Sequence, residues 1–223
     1  PRTIELRPAC FWIPANTLTV EGRAWGRNIC TAQLFTSPLE NDVAVDPQHL
    51  LDEIGTVLYG RALKLQSGKW VLPLHMHVGN AWEKAPARGR YLIADENQEN
   101  WRLSGADVYG EPGCSRPVIV QLPTGEVISY LSFQARYESP RPGHIWKAIS
   151  TDDCESFSDP VQTNLRNPSS GIDIAVSHTS GSFLVVYNDS YAERVPLSVG
   201  ISDDMGKTLR VRDVEAKNGI YGY

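Results

Sequence analysis

A chain of 223 residues, 41% hydrophobic and 21% charged, has enough apolar side chains to bury a sizeable core. Its formal net charge is −5 and its lysines and arginines are scattered, which is the wrong electrostatics for a phosphate backbone and excludes nucleic acid as the expected partner. No apolar run approaches membrane-spanning length. The four cysteines, Cys10, Cys30, Cys114 and Cys154, show no CxxC or close Cys/His spacing, so no membrane span, metal or cofactor is expected.

In chain order, residues 1 to 54 carry short extended pieces, Thr3–Leu6, Thr17–Val20 and Thr31–Phe35, separated by Pro and Asn. Pro47–Ile54 reads as a single helical turn or a loop. From Thr56 the pattern becomes regular. Val57–Leu65 and Trp70–His77 are β-rich runs flanking Gly68, and Tyr91–Ala94 leads into an acidic turn that ends at Trp101. Val118–Leu122 and Val127–Leu131 flank Gly125, and Trp146–Ser150 leads into Ser150-Thr151-Asp152-Asp153-Cys154-Glu155-Ser156-Phe157, in a unit spanning about Pro117 to Pro160. The last unit runs from Ile172 to Val214. It turns at Gly181, and Ser198–Ile201 leads into Ser202-Asp203-Asp204-Met205-Gly206-Lys207-Thr208-Leu209.

Each acidic turn has the same mechanics. A Ser and an Asp two positions on can bond backbone amides across the turn, a Gly can take positive φ, and a large apolar residue folds back onto the sheet. The segment 94–101 keeps only the acidic position and the terminal aromatic, but the hairpin glycines hold it in phase. Gly68, Gly125 and Gly181 stand 57 and 56 positions apart, and each precedes its acidic turn by 26, 25 and 21 positions. Two markers sharing one period predict a repeated four-stranded antiparallel sheet, the sequence appearance of β-propeller blades. An all-β sandwich with regular turns would use similar strands without requiring that phase.

The turns resemble the Asp-boxes, or BNR repeats, of sialidases. Asn167-Pro168-Ser169-Ser170-Gly171-Ile172-Asp173, followed by Phe183-Leu184-Val185-Val186-Tyr187-Asn188, is similar to the sialidase-like BNR-repeat proteins. The resemblance covers roughly residues 55 to 223; the first fifty or so match loosely and read as a divergent partial blade. It implies a single propeller domain over 1–223 of a type that closes with six blades. With about three clear blades visible, the chain reads as part of a larger propeller or as a truncated relative.

In a propeller the starts of the innermost strands converge on one funnel, which singles out Arg61, Arg116, Asp173 and Tyr221, with Arg194 added from the loop between second and third strands. Guanidinium groups stay charged and bind carboxylates bidentately, as an acidic sugar requires. The resemblance implies substrate-binding arginines, with Arg194 in that cluster, and a tyrosine nucleophile at Tyr221, Tyr223 being the second choice. A tyrosine needs a basic neighbour for that role, since its unperturbed pKa is about 10. The glutamate that the resemblance implies falls at Ser115-Arg116-Pro117, where the chain has Arg116. The arginine that the resemblance implies at the end of the next strand falls near Leu131-Ser132-Phe133, and the implied acid/base aspartate belongs to a blade that the sequence does not identify.

The implied function is a sialidase-like glycoside hydrolase domain for terminal acidic sugars, the alternative being a carbohydrate-binding or scaffold propeller without catalysis. His75 and His77 share one face of a strand, which suits a metal pair or a satisfied polar face. Asn188-Asp189-Ser190 fits a glycosylation acceptor and so hints at secretion.

Overall fold

The computed structural model describes residues 4–11, 19–20, 23–24, 31–40, 43–44, 48–51, 56–58, 60–76, 87–110, 113–133, 143–177, 180, 182–204 and 208–215, those before 60 through their backbone. They form strands and turns, with no helix among the described residues. The chain divides into two compact units, Pro1–Leu58 with Met76–Ala85, and Tyr59–His75 with Pro86–Tyr223.

The first unit contains β1 (Ile4–Phe11), β2 (Thr19–Val20), β3 (Arg23–Ala24), β4 (Thr31–Glu40), β5 (Val43–Ala44), β6 (Gln48–Leu51) and β7 (Thr56–Leu58). β1 pairs with β4 from Ile4↔Pro38 to Phe11↔Thr31, and β5 and β6 also pair with β4. The helical turn or loop expected over 47–54 is therefore corrected to a strand over its middle, with Phe35↔His49 and Thr36↔Gln48 in register. A lone helical turn fixes many dihedrals for one hydrogen bond, whereas an open strand offers a ladder of them.

The second unit is three antiparallel sheets in sequence. β8 (Leu63–Lys64), β9 (Trp70–Met76), β10 (Arg88–Ala94) and β11 (Arg102–Leu103) belong to the first. β12 (Cys114–Gln121), β13 (Val127–Phe133), β14 (His144–Ser150) and β15 (Val161–Arg166) form the second; β16 (Asp173–Val176), β17 (Phe183–Asn188), β18 (Leu197–Ser202) and β19 (Arg210–Glu215) form the third. The last two are simple meanders, each strand bonded to the next in the chain.

Two boundaries differ from the sequence reading. The strand expected over Val57–Leu65 is broken by a bend at Gly60, where a Cβ would stand 2.4 Å from Pro73 Cγ and 2.8 Å from the Pro117 carbonyl oxygen. The middle sheet extends past Pro160, because its fourth strand is Val161–Arg166.

The core lies between the sheets. Along β12 and β13, Val118, Val120, Ile128 and Tyr130 face one cluster that includes Ile172, Ile174, Phe183, Val185 and Tyr187 of the third sheet. The alternating residues Ile119, Val127 and Leu131 face another cluster that includes Leu65, Val71, Tyr91 and Ile93 of the first. Successive side chains on a strand point to opposite faces, so the middle sheet is buried on both. This is how neighbouring blades of a propeller pack.

The turns are built as their sequence requires. Gly68 and Gly125 have φ of 91° and 95°, and each donates its N–H to the carbonyl three residues back, Leu65 or Leu122, at 2.9 Å. In the last acidic turn Ser202 Oγ donates to Asp204 Oδ1 at 2.6 Å, while Asp204 accepts from Thr208 N at 2.8 Å and Thr208 Oγ1 at 2.6 Å. Asp152 accepts equivalently from Ser156 N and Oγ, and Cys154, at the glycine position, takes φ of 67°. Even the degenerate copy keeps the design. Asp95 accepts from Glu99 N at 2.8 Å, and Asn100 Nδ2, at 2.8 Å, replaces the missing hydroxyl. Gly181 and Gly206 lie outside the described residues.

Candidate functional site

Strand register fixes which residues share an end of each sheet. In the middle sheet Cys114↔Phe133 and His144↔Arg166 lie at one end, and Gln121↔Val127 and Val127↔Ser150 at the other. In the third, Asp173↔Val186 and Asn188↔Leu197 lie at the first of these ends, while Val176↔Phe183 and Phe183↔Ser202 lie at the second. The glycine hairpins and acidic turns thus occupy one end, and the starts of β8, β12 and β16 occupy the other.

Three of the five residues singled out from sequence lie there, and two of them, Arg61 and Asp173, are in contact. Arg61 Nη2 reaches Asp173 Oδ1 and Oδ2 at 3.2 and 3.1 Å and the Ile174 carbonyl at 3.3 Å, an approach between the first and third sheets of the unit. Arg116, from the strand between them, donates from Nη1 to the Ser169 carbonyl at 2.5 Å. Gly60 explains how Arg61 arrives: lacking a Cβ, it lies against Pro117, the residue after Arg116. The Arg61–Asp173 side chains are 72% and 57% exposed, so this ion pair adds little to stability and stays open to a ligand.

Arg116 is also the conformational outlier of this end. It takes φ of 53° where the β12–β13 register shifts between Ser115 and Val118, and its partner residue Ser169 takes φ of 64°. A bulge redirects a side chain, and a non-glycine residue in the left-handed region persists only where its surroundings impose it. No sequence signal pointed to that bulge.

Arg194 lies in the loop between β17 and β18, at the same end of its sheet. Its carbonyl accepts from Asn188 Nδ2 at 3.0 Å, and the Pro196 carbonyl accepts from the same amide at 3.3 Å. Asn188 is only 6% exposed and committed to those bonds, which corrects its reading as a glycan acceptor; the hint of secretion loses its basis. Tyr221, Tyr223 and His77 lie outside the described residues. His75 is buried on β9, and no group of three His, Cys, Asp or Glu side chains able to hold a metal occurs among the described residues.

Sequence reasoning passed over a second polar set at this end. Arg166 forks onto Asp189 through Nε at 2.9 Å and Nη2 at 2.8 Å, and that bond raises the guanidinium pKa further. Its Cζ lies 5.6 Å from the Tyr191 ring centroid, and His144 meets that ring at 5.3 Å with 63° between planes. The available signal was an Asp-x-Tyr repeat. Asp107 and Tyr109 are engaged likewise, Arg90 Nε reaching Asp107 at 2.6 Å and Arg88 Cζ lying 5.5 Å from the Tyr109 ring. Burial alone pushes the Tyr130 hydroxyl up to about 12.

The architecture has close counterparts among solved structures. The Hadza microbial sialidase Hz136 matches with a TM-score of 0.65 at 12% identity, covering 84% of this chain and 38% of its own. A Dyadobacter fermentans protein of unknown function matches at 0.69 and 11% identity, over 97% and 61% of the two chains. The Ruminococcus gnavus intramolecular trans-sialidase, solved with oseltamivir carboxylate, matches at 0.64 and 16% identity, over 100% and 51%. The chain therefore spans between about two fifths and three fifths of these relatives. At these identities the likeness shows the fold, a sialidase-type β-propeller, and no curated protein matches the chain. The model of the BNR repeat-like domain matches residues 17–223, nearly the whole sequence, and with the conserved turn geometry of all three sheets it identifies the chain as a member of that family.

Proposed function

We propose that the end of the sheets bearing Arg61, Arg116 and Asp173 binds a terminal acidic sugar, and that the domain is a sialidase-like glycoside hydrolase domain. The observation that carries this reading is Arg116, forced into a left-handed conformation within a bulge at the end of the sheets that also holds the Arg61–Asp173 pair. Backbone strain of this kind concentrates at ligand clamps. The two guanidinium groups supply charge-assisted donors for a carboxylate, and Asp173 holds Arg61 in place until a ligand acid competes for it. Arg194 and Tyr221 complete the proposed set, Tyr221 as nucleophile.

A non-catalytic carbohydrate-binding propeller is the second reading. It is favoured by Arg116 standing where the sialidase resemblance places a glutamate, since a tyrosine nucleophile needs a base. Incubation with fluorogenic sialosides and other fluorogenic glycosides separates the two. Release of the fluorophore supports the hydrolase; saturable binding of the glycoside without release supports the binding module.

A further inference from the structure

The first and second sheets of this unit are joined at their outer edges by charge. Glu155, in the acidic turn of the second sheet, accepts from Arg102 of β11 through both carboxylate oxygens and lies 3.8 Å from Lys69 Nζ. Its backbone joins as well, the Glu155 carbonyl accepting from the Gly105 amide at 3.1 Å. One acidic residue closes that junction, with its side chain on two cations and its main chain on the segment that follows the outer strand.

The junction between the second and third sheets lacks that residue. Aligning Ser150–Phe157 on Ser202–Leu209 puts Lys207 at the position of Glu155, and the carboxylate of the third turn, Asp204, is taken up by Ser202 and Thr208. A cation nevertheless faces the gap. Tyr130, Lys147 and Val161 are register partners in a row across β13, β14 and β15, and Lys147 alternates with Ile145 on the face turned toward the third sheet. Among the described residues Lys147 makes no ion pair and the Tyr130 hydroxyl no hydrogen bond. A cavity of about 350 Å³ lies between β15 and the third acidic turn, lined by these three residues with Leu165, Thr208 and Leu209. An amine set on an otherwise apolar face calls for an acid, and the chain supplies none there.

The edge beside this cavity is also open. An outer strand presents a row of backbone donors and acceptors, which proteins guard by keeping the strand short or charged. β11 has two residues, and β19, Arg210–Glu215, carries four charges. β15 is uncharged from Val161 to Leu165, pairs only with β14 among the described residues, and leaves Val161 56% exposed.

We propose that the groove along β15 docks an extended acidic segment of a partner protein, which adds to the β15 edge and sets a carboxylate on Lys147 and Tyr130. Main-chain bonds to β15 supply affinity and the carboxylate fixes the register. The partner repeats from outside what Glu155 does from within the chain at the preceding junction.

Fluorescence anisotropy of the full chain with a labelled, end-blocked pentapeptide of alternating threonine and glutamate tests this, with the lysine counterpart of the peptide and sodium acetate as controls. Wild type should bind the glutamate peptide saturably and the lysine peptide roughly tenfold more weakly, and acetate at the same concentration should not compete. Lys147→Glu should reverse that preference. Lys207→Glu, which restores the residue of the preceding turn, should fill the groove from within and weaken the glutamate peptide by roughly tenfold. A wild-type chain that binds neither peptide, Lys147→Glu that keeps the wild-type preference, or Lys207→Glu that binds unchanged overturns the proposal. Displacement of the peptide by an equal concentration of acetate assigns the cavity to small anions and overturns strand docking. If Lys147→Glu does not fold, Lys147→Met, apolar like its neighbours on that face, carries the test: it should lose the glutamate peptide without gaining the lysine one, and unchanged affinity overturns the proposal.

Discussion

Asp204 shows how a single side chain sets a turn. Its carboxylate accepts from the backbone and the hydroxyl of Thr208 and from Ser202, so it is committed to its own turn. Asp204→Ala should lower stability by about 0.5–2 kcal/mol, in line with other side-chain-to-backbone caps. Denaturant melts measure the loss, and sugar binding should be unchanged, since the turn lies at the end of its sheet opposite Asp173. Asn188 performs the corresponding task at the opposite end. Its amide donates to the Arg194 and Pro196 carbonyls, so Asn188→Asp keeps the shape but removes the donors and places a charge against two carbonyl oxygens. A cost of about 1–3 kcal/mol is expected, together with displacement of Arg194 and weaker binding of acidic sugars.

At the scale of the element, the acidic turns link the fold to pH. The Glu99 amide and the Asn100 side chain hold the Asp95 carboxyl below its ordinary range. For Asp152 burial acts upward, but the bonds from Ser156 and Ser150 outweigh it and the net shift is again downward. A depressed folded-state pKa contributes stability that is fully present above the unfolded value of about 4 and is lost as pH falls through the lower folded value. Acid unfolding followed by circular dichroism should accordingly show wild type and Asp152→Asn differing most above about pH 4 and converging below it. These turns were legible in sequence because the bonds their central Asp carboxylates accept span five residues or fewer, so spacing encodes them. The bend at Gly60 was not legible, since its cause is Pro73 and Pro117. Nor was the bulge at Arg116, which depends on the register with β13. Convergence of Arg61, Arg116 and Asp173 could be anticipated from strand order, whereas the Tyr191 set depends on a loop meeting a neighbouring sheet.

Across the second unit as a whole, stability resides between sheets rather than within them. Among the described residues the two core clusters each draw side chains from two consecutive sheets. The hairpins add polar ties: the Gln66 backbone amide donates to Gln121 Oε1 at 2.7 Å, and Arg102 and Lys69 of the first sheet engage Glu155 in the acidic turn of the second. Burial should therefore predict the cost of truncation better than strand position does. Phe183 is fully buried against Tyr130, ring centroids 5.6 Å apart, so Phe183→Ala removes the aromatic contact and leaves a cavity between the second and third sheets. The expected loss is about 3–5 kcal/mol. Val214, 63% exposed on the outer strand of the same blade, should lose under about 0.5 kcal/mol on the same change to Ala. Because Phe183 couples the two sheets, its loss should lower the protection of β13 amides along with those of β17 in hydrogen exchange. Protection lost from β17 alone would show that the blades are independently stable and that the intersheet clusters do not hold the unit together.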